Sequence, residues 1–131
     1  MRYSRYVQFK ELLGKTIVDI EGAEKNNDMI KFTCSDGTRY LMYHEQDCCE
    51  SVFIEDICGD IETLIGTPIT MADEANSYND ESLNLGGLDK YDDSYTWTFY
   101  RLATIKGYVN IRWYGTSNGY YSESVDFVEM S

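Results

Sequence analysis

The side chains of greatest chemical interest in this chain run from His44 to Glu50, in the order His-Glu-Gln-Asp-Cys-Cys-Glu. An imidazole, two thiols and three carboxylates are the vocabulary of a zinc site, or of a thiol nucleophile beside a base. The spacing argues against both. Structural zinc takes cysteines separated by two to four residues, followed by a second ligand pair, whereas Cys48 and Cys49 are adjacent. Asp47 followed three residues later by Glu50 reads instead as a capping box, Asp47 accepting a backbone N–H and Glu50 reaching back to the start of a helix. A thiol at such a helix start can acquire a lowered pKa, so a Cys/His enzyme or metal site around His44–Glu50 stays open as a third-ranked reading. No catalytic residue, metal or cofactor is assigned.

A second constellation depends on a hairpin. Tyr95 to Ile105 and Tyr108 to Tyr114 flank Lys106-Gly107, which reads as a two-residue loop. Ile105 then lies opposite Tyr108, and counting outward Thr104 faces Val109, Leu102 faces Ile111 and Tyr100 faces Trp113, these three pairs making a mostly apolar side suited to the core. The other side sets Arg101 against Arg112 and Phe99 against Tyr114, with Trp97 beyond. Like charges directly opposed destabilise a sheet. Either an acid on the next strand, Asp126 or Glu123, compensates them, or an anion such as a nucleotide sits between Arg101 and Arg112 with Trp97 and Tyr114 at its flanks. A one-residue slip in register removes the pair.

The third candidate is acidic. From Glu45 to Asp93 the chain holds fourteen acids and one base, Lys90, while the flanks carry nine acids and ten bases. Glu55, Asp56, Asp60 and Glu62 are expected on the solvent side of a helix, and the following loop adds Asp73, Glu74, Asp92 and Asp93 among others. Such carboxylates either keep a surface solvated or occupy a basic groove on a partner, in the manner of nucleic-acid phosphates. The loop YNDESLNLGGLDKYDD lacks the ordered ligand pattern of an EF-hand.

These side chains need elements to position them. Tyr6, Phe9, Leu12 and Leu13 fall at helical spacing between Ser4 and Gly14, so a short helix is expected there. Thr16 to Glu21 should be a strand with Val18 and Ile20 inward. Met29 to Cys34 and Thr38 to His44 continue a meander across Ser35-Asp36-Gly37. Phe53, Ile54, Ile57, Ile61, Leu64 and Ile65 recur at three- and four-residue steps, which predicts a helix over 47–66 that Gly66 and Pro68 stop. Pro68 to Ala72 is expected as a strand, and 73–93 as a long polar loop. Glu123 to Met130 closes the β-rich end. The expected fold is a single α+β domain over 1–131, an antiparallel sheet of five to seven strands with one or two helices packed on one face.

Composition bounds the function. The chain has 131 residues, a net charge of −12, twelve tyrosines, one proline and four cysteines. That length supports a core without disulfides or metal, and the four cysteines are expected as thiols. No apolar run spans a membrane, and 1–14 lacks the apolar run of a signal peptide. A reducing cytosol is the expected location. Direct nucleic-acid binding is opposed by the acidic middle, which favours a basic protein partner.

Two blocks, YHEQDCCESVFIEDICGDIETLIG at 43–66 and YTWTFYRLATIKGYVNIRWYGTSNGYYSESVDF at 95–127, resemble a family of small bacteriophage and prophage proteins of uncharacterised function. The resemblance supplies no reaction and no catalytic residue. It implies a phage accessory protein in the cytoplasm of its host. The leading expectation is a non-catalytic protein that binds a host nucleic-acid-handling or defence complex through its acidic segment, as an acidic mimic or inhibitor. A small anionic-ligand or nucleotide binder using Arg101 and Arg112 is the alternative.

Overall fold

Two turns rich in Asn, Asp and Gly join three β-prone runs into a meander, which forms three of the five strands of the first sheet. A computed structural model describes residues 4–130 of the chain; residues 1–3 of the N-terminal stretch lie outside them. The strands are β1 (Ser4–Tyr6), β2 (Ile17–Glu21), β3 (Met29–Cys34), β4 (Arg39–Tyr43), β5 (Ser51–Cys58), β6 (Met71–Asn76), β7 (Ser94–Thr104), β8 (Gly107–Ser117) and β9 (Asp126–Met130). They form two antiparallel sheets, β1-β9-β4-β3-β2 and β5-β8-β7-β6. The helical content of the described residues is three short 3₁₀ turns, Phe9–Leu12, Ile61–Leu64 and Glu81–Leu83. The α+β expectation is therefore overturned: the fold is two packed β-sheets.

The helix expected over 47–66 fails for an identifiable reason. Val52 and Ile54 point into the core at period two, and a β-bulge between Ile54 and Asp56 then inserts one extra residue. The bulge shifts the phase, so the next inward apolar residue is Ile57, which faces Ile111. A strand with one bulge thus produces the three-residue step that imitates a helix. The bulge is fastened from the other sheet: Ile54 N–H donates to Asn27 O and Ile54 O accepts from Asn26 N–H, each at 2.7 Å. Asn26 takes a positive φ of 74° to make this contact, a conformation that Asn tolerates better than most residues.

A similar displacement occurs in β2. Its bulge between Ile17 and Asp19 buries Ile17 and leaves Val18 exposed, the reverse of the expected facing, with Ile20 partly buried. The N-terminal segment expected to be a helix splits into β1 and a 3₁₀ turn that still buries Phe9 and Leu12. The expected loop at 73–93 gives its first residues to β6, which extends to Asn76 along β7.

The sheets enclose one core. Ile30, Phe32, Tyr40 and Met42 from the first sheet meet Ile54, Tyr100, Leu102, Ile111 and Trp113 from the second. Phe9 bridges them, its ring 4.7 Å from that of Tyr100 and 5.3 Å from that of Phe127. Along one side the sheets are joined by Gly66 N–H to Ile17 O and Ile69 N–H to Lys15 O.

Strand β5 ends at Gly59, whose φ is +110° and whose added Cβ would lie 2.5 Å from Tyr108 O. Gly59→Ala should lower stability by about 1–3 kcal/mol, through strained backbone and displaced β8. A urea midpoint unchanged from wild type would show that the end of β5 relaxes freely.

Candidate functional site

The 44–50 segment forms a tight loop between the sheets, and its polar groups satisfy one another. Glu50 is buried, and its carboxylate accepts from Asp47 N–H at 2.8 Å, Cys48 N–H at 2.9 Å and His44 Nε2 at 2.8 Å. His44 Nδ1 bonds Ser124 O at 2.7 Å. The reach of Glu50 back to Asp47 is the half of a capping box that the sequence suggested, although β5 follows in place of a helix. Burial pushes the Glu50 carboxyl up, but the hydrogen bonds from His44 and the backbone N–H groups outweigh it and hold it at about 2, from an ordinary 4.5.

Both ring nitrogens of His44 are committed, so the chain's one histidine has no nitrogen free to serve a nucleophile. The sulfurs of Cys48 and Cys49 are joined to each other, contrary to the expectation of four thiols, while Cys34 is buried and Cys58 exposed as free thiols. Among the described residues no cluster of three His, Cys, Asp or Glu side chains could hold a metal ion. The loop is a structural clamp, with Glu50 at its centre.

The hairpin turn falls one residue earlier than the sequence suggested. Thr104 faces Gly107, so Ile105 and Lys106 form the loop. The Thr104 hydroxyl accepts from Lys106 N–H at 3.1 Å and itself donates to Thr63 O, which pins the turn at this place. Every cross-strand pair moves by two residues, so each side chain keeps its face and changes its partner. Thr104, Tyr100, Leu102, Val109, Ile111 and Trp113 are all buried, as expected.

The opposed arginine pair is not formed. Arg112 faces Phe99 on β7 and Asp56 on β5, whereas Arg101 faces Asn110 on β8 and Asp73 on β6. Glu55 takes Arg112 through Nε at 2.7 Å and a terminal nitrogen at 2.6 Å, and Asp56 adds a contact at 3.6 Å. The compensating acids come from β5, not from Asp126 or Glu123 as anticipated. Trp97 and Tyr114 are buried beneath the 84–92 loop: Trp97 Nε1 donates to Gly86 O at 2.9 Å, and the Tyr114 hydroxyl accepts from Leu88 N–H and donates to Asp92 at 2.6 Å. Their surface is spent on anchoring that loop.

The eight acids expected on one display are dispersed. Glu55 and Asp56 hold Arg112, Asp60 accepts from Glu62 N–H to cap the 61–64 turn, and Asp92 holds Tyr114. Glu62 lies exposed beside that turn, and Asp73 on the outer face of β6. No helical face collects them.

Glu74 and Asp93, however, meet residues that the sequence did not connect with them. They line a cleft of about 790 Å³ with Glu81 and Glu123, and with Tyr78, Tyr95, Tyr120 and Tyr121. No Lys, Arg or His among the described residues lines it. Glu123 accepts hydroxyl bonds from Thr96 and Ser117, which fixes its carboxylate without neutralising it. Tyr78 and Tyr120 are almost fully exposed, at 87% and 89%. The surplus of tyrosines was the sequence signal; only the return of 119–125 beside β6 and β7 brings them to acids.

The fold and cleft describe a two-sheet β protein with a carboxylate- and tyrosine-lined recess. The family model described as a domain of unknown function, DUF7448, matches residues 10–127, and the chain belongs to that family. No curated protein and no solved structure matches it. No helix of the described residues is long and apolar enough to cross a membrane.

Two measurements check the loop. Because the folded value of Glu50 lies below its ordinary 4.5, its contribution to stability is full above that pH and is lost as pH falls towards about 2. The melting-temperature gap between wild type and Glu50→Gln should be widest at neutral pH and close across this window; a constant gap would show that the charge plays no part. Under non-reducing conditions, maleimide should label Cys58 in the folded protein, with Cys48 and Cys49 labelled only after reduction.

Proposed function

We propose that this protein is a non-catalytic binding protein whose cleft receives a basic segment of a partner protein. The observation that carries this reading is the lining itself: Glu74, Glu81, Asp93 and Glu123 share a recess with four tyrosines and, among the described residues, no cation. Carboxylates attract Lys and Arg side chains, and tyrosine faces add cation–π attraction worth about 0.5–1 kcal/mol each at exposed sites. Tyrosine also offers contact area at low entropic cost. The net charge of −12 steers a basic partner towards the molecule and repels free nucleic acid.

The setting belongs to the same proposal. The resemblance of 43–66 and 95–127 to phage and prophage proteins supports an accessory protein in the bacterial cytoplasm that engages a host nucleic-acid-handling or defence complex as an acidic mimic or inhibitor. The clamped His44 and the joined Cys48 and Cys49 argue against thiol catalysis there. Arg101 and Arg112 line one groove without being directly opposed, and Arg112 is already held by Glu55 and Asp56, which weakens the support for a nucleotide held between two guanidinium groups.

The test uses a fluorescent Arg- and Lys-rich peptide and an acidic peptide of equal length. The basic peptide should bind in a salt-sensitive manner and the acidic one should not. Substituting Tyr78→Ala and Tyr120→Ala with Glu81→Gln and Asp93→Asn should cost about 2 kcal/mol, roughly thirtyfold in affinity. Glu62→Gln, outside the cleft, should leave binding unchanged. Equal weakening by that control would mean diffuse attraction and would refute the cleft.

A further inference from the structure

The outer face of the β5-β8-β7-β6 sheet carries a second recess, which shares Glu74 with the tyrosine cleft and is otherwise lined by different residues. The 84–92 loop roofs Trp97 and Tyr114 at one end of this face, and beyond the roof the face opens into a groove of about 610 Å³. Its apolar lining is Phe99, Leu83 and Ala75. Volumes of roughly 300–1,000 Å³ with an apolar lining and a few fixed polar groups are typical of small-molecule sites.

The charges around it are unequally used. Arg112 is held by Glu55 and Asp56, so its guanidinium serves as a wall. Arg101 and Asp73 are Cα partners on adjacent strands, both exposed, yet their side chains make no ion pair with each other, and neither side chain has a hydrogen-bond partner among the described residues. Opposed charges so placed would ordinarily close on one another. Here each is left available over the same apolar surface, with the Asn110 amide beside Arg101.

We infer that this groove binds a small zwitterion with an apolar body, such as an α-amino acid with an aromatic side chain. Its carboxylate meets Arg101, its ammonium meets Asp73, and its ring packs against Phe99 and Leu83. The balance of charge selects this class. A simple anion meets Arg101 but also the acidic residues Asp73, Glu74 and Asp56, and a simple cation meets Asp73 but also Arg101. A zwitterion pairs both and leaves neither unsatisfied. The guanidinium fork suits a carboxylate in particular. Cys58 lines the groove with an exposed free thiol, which makes occupancy observable.

The probes are L-phenylalanine, 3-phenylpropionate and 2-phenylethylamine, which share a ring and differ in charge. At millimolar concentration L-phenylalanine should raise the melting temperature and slow maleimide labelling of Cys58. The other two should bind at least about tenfold more weakly, as should L-phenylalanine to Arg101→Gln or Asp73→Asn, since each loses one charged hydrogen-bonding partner. Near-UV circular dichroism of these surface variants should match wild type. Absence of both the thermal shift and the thiol protection overturns the inference. So does binding of 3-phenylpropionate to wild type as tight as that of L-phenylalanine, which would mark a plain anion site. Neither result bears on peptide binding in the tyrosine cleft, which Arg101→Gln should leave intact.

Discussion

The register of the β7–β8 hairpin governs most of this molecule, and one hydroxyl sets it. Thr104 Oγ1 accepts from Lys106 N–H while donating to Thr63 O, so the chain reverses over Ile105 and Lys106. The two strands are eleven residues each and lie at the centre of their sheet. Their inward side chains, from Thr98 through Trp113, supply much of the core, and their outward side chains supply both arginines. Because side chains alternate at period two, moving the turn by one residue left the buried set intact and changed every cross-strand partner. The core could not have reported the shift. The arginines do: an opposed pair becomes a diagonal one, each guanidinium with different direct neighbours.

Bulges play the corresponding part at the sheet edges. The extra residue in β5 carries Glu55 to Arg112 and turns Ile57 back towards the core, and the Asn26–Asn27 turn of the other sheet supplies the backbone partners that Ile54 requires. Buried polar groups need such partners. The 44–50 loop follows the same rule with side chains, as the buried carboxylate of Glu50 gathers two backbone N–H groups and the imidazole of His44. A cluster with catalytic vocabulary is thereby occupied with holding the crossover between sheets.

The surface that remains is divided by charge. Among the described residues the tyrosine cleft displays four carboxylates without a cation, and the outer groove sets Arg101 and Asp73 over apolar side chains, beside Arg112, Asp56 and Glu74. Net charge alone describes neither. Of the acids in the middle of the chain, several are internal fittings: Asp60 caps a turn, Asp92 secures a loop, and Glu55 and Asp56 restrain Arg112. Those that face the cleft come from both the middle and the C-terminal third.

By itself the sequence determined the alternation that buries Tyr100, Leu102, Val109, Ile111 and Trp113, the β3–β4 turn at Ser35-Asp36-Gly37, and the strongly acidic character of the surface. These are local properties, since period, turn chemistry and charge need no distant partner. It misled over 47–66, because a strand interrupted by one bulge spaces its apolar residues as a helix does, and the backbone contacts from Asn26 and Asn27 that stabilise the bulge lie far away in sequence. Tertiary structure alone decided which acids are spent and which are displayed. A carboxylate's availability depends on whether a guanidinium, a hydroxyl or a backbone N–H from another strand reaches it, and such encounters follow from register and sheet packing, which no local pattern encodes.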